Sequence, residues 1–215
     1  MPAGGTGLVL RGLRKEPAAI GKWHLGWDWT HKEGKAKTVD NIDFTKRVAN
    51  GPTDRGFDYF YGLTSPSGPP HLYMVNDMAE KQPNTRFEES GGGLYKIKGG
   101  IGHSDWSADG MQPHLADKML EYLDENKDSD KPFFLYMALT APHIPLFPSK
   151  EFKGKSKIGD YGDLVMMIDD IVGRVNRKLK EIGKYDNTIV MFAADNGCAV
   201  YSHMYRTNRK GHKPP

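Results

Sequence analysis

Apolar and polar positions alternate along the chain in ways that predict a small set of elements. Leu164, Ile168, Ile171, Val175, Leu179 and Ile182 recur at three- and four-residue steps, which predicts an amphipathic helix over 159–183 with Gly183 at its carboxyl cap. Leu115, Met119, Leu120 and Leu123 share one face of a second helix in "MQPHLADKMLEYLDENK" (111–127), with Pro113 near its start. The continuous run "KPFFLYMAL" (131–139) has strand length and reads as buried on both faces, until three prolines in "TAPHIPLFPS" end regular structure. A further buried strand is predicted from Thr188 to Ala193, ending in Asp-Asn-Gly. Ala18-Ala19-Ile20 reads as the end of a short strand that breaks at Gly21. Residues 30–110 are full of turn formers and read as irregular, a length of loop that is usually functional or poorly ordered.

Strand, helix and strand in succession imply a right-handed crossover and a largely parallel sheet. Ligands in such sheets bind beyond the carboxyl ends of the strands. On that rule His143 and the Asp195-Asn196 pair share one rim, and Lys22 and His24 join them if the first strand belongs to the same sheet. Lys22 and His24 lie two residues apart, so in extended chain they point to one side, an arrangement that suits gripping and protonating an anion. The plainer reading is a strand end with a solvated lysine and a packed tryptophan. Asp195 and Asn196 offer oxygen ligands of the kind hard divalent cations take, or else simply a turn that closes a strand. His143 is held between prolines as a fixed imidazole or packs as a loop histidine against Phe147. Together, a metal pair, a lysine and two histidines meet the needs of anionic ester hydrolysis.

Composition narrows the partners. The 215 residues suffice for one domain with a core, and 25 glycines with 14 prolines make it rich in loops. A net charge of +3 with dispersed charges shows no nucleic-acid footprint but suits an anionic small substrate. No apolar run is long enough for a membrane span. The single cysteine, Cys198, excludes an internal disulfide and carries no nucleophile motif, so packing is its expected role. Asp169-Asp170 in mid-helix, the aromatic run "FDYFYG" and the "GGG" at 91–93 read as a solvated face, as packing and as a turn.

"IGKWHLG", "TAPHIPLFPS", "MIDDIVGRV" and "TIVMFAADNG", in this order, resemble the type I sulfatases of the alkaline-phosphatase-like superfamily. "GPTDRGFDYFYG" and "PPHLYMVND" are similar to the segment this family carries after its lysine motif, and "KGHKPP" resembles the approach to its second catalytic lysine. The resemblance implies an α/β fold, an alkaline phosphatase-like and largely parallel sheet flanked by helices. It implies that Lys22 holds a sulfate oxygen, that His24 partners a formylglycine nucleophile, and that His143 is the general acid. Asp195 and Asn196 would be two ligands of Ca²⁺, with Mg²⁺ less suited. The substrate would be a sulfate ester of a small molecule or glycan, with no nucleic acid or membrane partner, in the periplasm, outside the cell or in lysosomes.

The family's Cys/Ser-x-Pro/Ala-x-Arg nucleophile motif and its Asp-Asp metal pair are not found in these residues, and "CAVYS" does not supply the motif. Lys210 precedes the expected position of the second lysine. The chain is therefore expected to be a partial catalytic domain over 1–215, incomplete at both ends, without the smaller C-terminal domain, and inactive alone. The alternatives are a phosphatase or phosphodiesterase of the same superfamily, or a non-catalytic relative that binds sulfated glycan. His212 and "PPHLYMVND" are weaker candidates for substrate contact.

Overall fold

The computed structural model describes residues 16–196. Strand β1 (Glu16–Lys22) lies between β2 (Tyr59–Leu63) and β7 (Phe133–Ala138) and pairs parallel with both. Beyond β2 the sheet continues antiparallel through the two-residue strands β3 (Met74–Val75) and β4 (Met78–Ala79), giving the order β4-β3-β2-β1-β7. A separate antiparallel pair joins β5 (Thr85–Phe87) to β6 (Gly100–Gly102). The chain runs on into helix α1 (Met111–Glu125) before β7, and helix α2 (Asp160–Glu181) follows it.

Small residues bring the three parallel strands together. A Cβ on Gly21 would stand 2.0 Å from the Ala138 carbonyl oxygen, and one on Gly62 would stand 1.8 Å from that of Gly21. Gly21 therefore continues β1 where a break was expected, at φ 131°, a conformation side chains other than glycine's rarely adopt.

The two faces of the sheet are covered differently. Ala18, Ile20, Tyr61 and Leu63 pack under α1 and α2, against Leu115, Met119, Leu123, Leu164, Met167, Ile171 and Leu179. Each such fully buried aliphatic side chain contributes about 1.5–3 kcal/mol by leaving water. Ala19, Phe60 and Met74 face the other way and are covered by Trp23, Ile42, Phe44 and Val48. Those residues arrive on loop chain folded back through bridges between Asp28 and Ala49 and between His31 and Ile42.

Both helices form where the apolar periodicity predicts them. α2 ends in a two-bond left-handed cap: Gly183 N–H donates to Lys180 O (3.1 Å) and Lys184 N–H to Leu179 O (2.9 Å), with Gly183 at φ 68°. The Asp163 carboxylate, fully buried at the start of α2, accepts from the backbone N–H groups of Gly154 (2.7 Å) and Ser156 (2.6 Å), tying the preceding loop to the helix. Asp169 and Asp170 sit away from the core, Asp170 3.6 Å from Arg177.

Three expectations are corrected. The region 30–110 is not simply irregular, because it supplies β2, the central strand of the sheet. β7 is not buried on both faces: among the described residues it is the outer strand, none of its residues is fully buried, and Tyr136 is 51% exposed. The strand expected from Thr188 to Ala193 does not form. After a 3-10 turn at Tyr185–Asn187 the chain runs on without joining a ladder, and Ile189, Met191 and Phe192 stand open to solvent. A strand is stable only when a partner takes its backbone hydrogen bonds, and among the described residues no strand takes those of this segment. The strand–helix–strand crossover is accordingly not completed within the described residues, and the parallel part of the sheet is β2-β1-β7.

Candidate active site

The parallel register fixes what meets at one end of the sheet. Lys22 pairs with Leu63, and Gly21 pairs with Ala138, so the chain leaving β1, β2 and β7 emerges at one rim. Trp23 stays attached through its N–H to Leu63 O (2.8 Å), and its buried indole donates to Gly26 O (3.2 Å) while meeting Phe57 edge-on at 6.3 Å. That anchoring turns the chain outward, leaving Lys22 half-buried and His24 and Leu25 exposed.

Electrostatics links four of the five residues singled out from the sequence. Burial lowers the Lys22 pKa below the usual lysine value, and the Asp195 carboxylate opposes that shift. His24 is held below the ordinary histidine value by desolvation first, then by the positive field of Lys22 and by His143. Asp195 thus acts on Lys22, and Lys22 and His143 act on His24, while Asn196 follows Asp195 on the exposed chain end.

His143 lies on the loop that follows β7. Its N–H donates to Thr140 O (3.2 Å), closing a turn, and its ring Nδ1 sits 2.6 Å from Ile144 O. A carbonyl oxygen only accepts, so Nδ1 carries the proton and Nε2 is left to gain or give one. The Thr140 backbone N–H donates to Gln112 Oε1 (3.1 Å), and so does the Thr140 hydroxyl. Sequence reading passed over Gln112. The available signal was an amide on the apolar face of α1, one turn before Leu115 and Ala116.

Metal binding is only partly provided for. Among the described residues no three His, Cys, Asp or Glu side chains converge on a metal position. Calcium takes six to eight oxygen ligands, so Asp195 and Asn196 fit as contributors to a set and cannot hold the ion alone. Cys198, Lys210 and His212 lie outside the described residues.

Comparison with known proteins supplies the lineage. The chain is 31% identical over 198 residues to pig N-acetylgalactosamine-6-sulfatase, covering 90% of this chain and 33% of that protein. It is 26% identical over 230 residues to N-acetylgalactosamine-6-O-sulfatase of Bacteroides thetaiotaomicron, covering 91% of this chain and 43% of that one. The chain thus spans roughly a third to two-fifths of the length of these relatives. Among solved structures, one concerned with the metabolism of multiple glycosaminoglycans by B. thetaiotaomicron superposes with a TM-score of 0.64 at 23% identity, over 83% of this chain and 42% of that one. The PsFucS1 sulfatase of Pseudoalteromonas sp. superposes with a TM-score of 0.57 at 22% identity, over 85% of this chain and 35% of that one. These likenesses show a shared alkaline phosphatase-like fold. The Sulfatase family profile matches residues 9–215, and the chain belongs to the sulfatase family.

Proposed function

We propose that this chain carries the anion-gripping and proton-handling part of a sulfate ester hydrolase site. The observation that supports it most is the parallel register, which brings the chain leaving β1 with Lys22 and His24 and the chain leaving β7 with His143 out at one end of the sheet. There the Lys22 charge acts on His24, and Asp195 acts on Lys22. Lys22, half-buried and favoured as a cation by Asp195, contacts a sulfate oxygen. A cation partly removed from water binds such an oxygen more strongly than a fully solvated one. His24, with its pKa lowered, is neutral at neutral pH and accepts a proton next to that charge. His143, with Nδ1–H committed to Ile144 O, acts as general acid once Nε2 has also gained a proton, which it passes to the leaving alkoxide.

Asp195 and Asn196 would contribute two oxygen ligands to a Ca²⁺ site, and the ion would neutralise sulfate charge when bound. The nucleophile is a formylglycine that these 215 residues do not supply, so the chain alone does not turn over substrate. The substrate class is a sulfated sugar, N-acetylgalactosamine 6-sulfate first among candidates because relatives on both sides of the animal–bacterial divide are named for it. Action in the periplasm, outside the cell or in lysosomes follows the family. No helix among the described residues is long and apolar enough to cross a membrane.

Calorimetric titration of the chain with N-acetylgalactosamine 6-sulfate, with and without Ca²⁺, tests the reading. Binding that weakens about tenfold in Lys22→Ala, the loss of one charge-assisted contact, supports it. Equal affinity in the two chains, or none in either, overturns it.

A further inference from the structure

We infer that Gln112 and Thr140 form a clamp that positions His143. This deepens the reading above, on which only the chemical role of His143 depends; the clamp itself rests on geometry.

β7 ends at Ala138, the last residue paired with β1, so Thr140 follows just beyond the ladder. Thr140 is nevertheless buried, and its backbone N–H needs an acceptor. Gln112, 2% exposed in the first turn of α1, provides it. One oxygen, Oε1, accepts both the Thr140 N–H and the Thr140 hydroxyl, so both its lone pairs are engaged by one residue. Oε1 cannot exchange places with Nε2, because the Thr140 backbone N–H can only donate.

The other end of the amide is unrewarded. Gln112 Nε2 is buried without a hydrogen-bond partner among the described residues. An apolar side chain would spare the fold that unpaired donor, so everything this glutamine contributes by hydrogen bonding goes to Thr140.

The grip passes directly to His143. Thr140 O accepts the His143 N–H, so the orientation of the Thr140 backbone sets where the turn carries the imidazole. Pro142 and Pro145 have no N–H, which leaves few backbone donors to fix the loop in any other way. The far end is held by Leu146 N–H on Leu94 O (2.8 Å). Between these two anchors the ring is exposed, so packing does not hold it. A loop gripped at both ends presents an exposed imidazole in one place, which proton transfer requires. Gln112 and Thr140 touch no substrate in this scheme and act through His143 alone.

The full chain labelled with ¹³C and ¹⁵N provides the test, read at the His143 imidazole and amide by NMR. Thr140→Val removes the hydroxyl donor at nearly constant shape, Gln112→Met removes the acceptor, and Thr140→Ser restores the hydroxyl. Thr140→Val and Gln112→Met are expected to speed His143 amide exchange about tenfold, the equivalent of one lost buried hydrogen bond. They also mix the ring tautomers away from Nδ1–H, while amides in β1 and α2 keep their protection. Thr140→Ser is expected to match the parent. If Gln112→Met does not fold, Thr140→Val against Thr140→Ser decides the matter. Unchanged His143 exchange and tautomer in a folded Thr140→Val chain overturn the clamp. This readout needs no sulfate, so the clamp can hold while the hydrolase reading fails, and the reverse.

Discussion

β1 and the segment Thr188–Asn196 are made of similar material and meet different fates. One runs Ala-Ala-Ile to Gly-Lys, the other Ile-Val-Met-Phe to Asp-Asn. Ile20 is closed off from solvent, and its backbone pairs with Tyr61 on one side and Met137 on the other. Phe192 is 71% exposed and belongs to no strand. The side chains do not make this difference; the neighbours do. A strand is a contract between backbones, and apolar residues on a lone extended segment gain little by being extended.

The comparison can be broken hardest where the backbones come closest. Gly62→Ala drives a Cβ into the Gly21 carbonyl, which is backbone and cannot swing aside, and within 2.8 Å of the Phe60 ring. It is expected to cost about 4 kcal/mol or more, measured by urea unfolding, because a core strand pair must separate. Next in size, Ile20→Ala empties a site between sheet and helices and should cost about 3 kcal/mol. Phe192→Ala, by contrast, should stay within about 0.5 kcal/mol in the same experiment. Similar losses for Ile20→Ala and Phe192→Ala would show that the exposed segment packs after all.

Acid sharpens the contrast more gently. His71 is lowered by burial, although its Nε2–H bond to Lys98 O (2.7 Å) works the other way, and His114 is lowered chiefly by burial. With His24, both stay neutral in the fold at pH values where the unfolded chain protonates. The unfolded state then binds more protons, so stability is full above the reference value of 6.5 and falls as pH drops through it. His71→Phe should flatten that fall in urea midpoints measured across this range. The segment Thr188–Asn196 contains no histidine, so Phe192→Ala should leave the slope alone.

These contrasts also explain what could be read from the chain. α1 and α2 were legible because a helix satisfies its own backbone, so its apolar stripe alone gives it away. β2 was hidden because "FDYFYGL" carries a glycine needed for close approach and sits among turn formers, which together look like loop. The burial of β7 and the strand at Thr188–Ala193 were misjudged for one shared reason: apolar content says a segment prefers cover, not which backbone provides it. The rim could be proposed from the sequence, since the carboxyl-end rule needs only strand direction. Gln112 was not, because its value depends on Thr140, 28 residues away in sequence and reached only through the fold.

The central claim is that Lys22, His24 and His143 act on one anion. An NMR pH titration of the His24 ring, in the parent chain and in Lys22→Met, with and without inorganic sulfate, tests it most directly. Burial will still hold His24 down, but removing the lysine's charge should bring its pKa up toward 6.5, and sulfate should raise it in the parent. A His24 titration that ignores both the loss of Lys22 and the addition of sulfate would contradict the account.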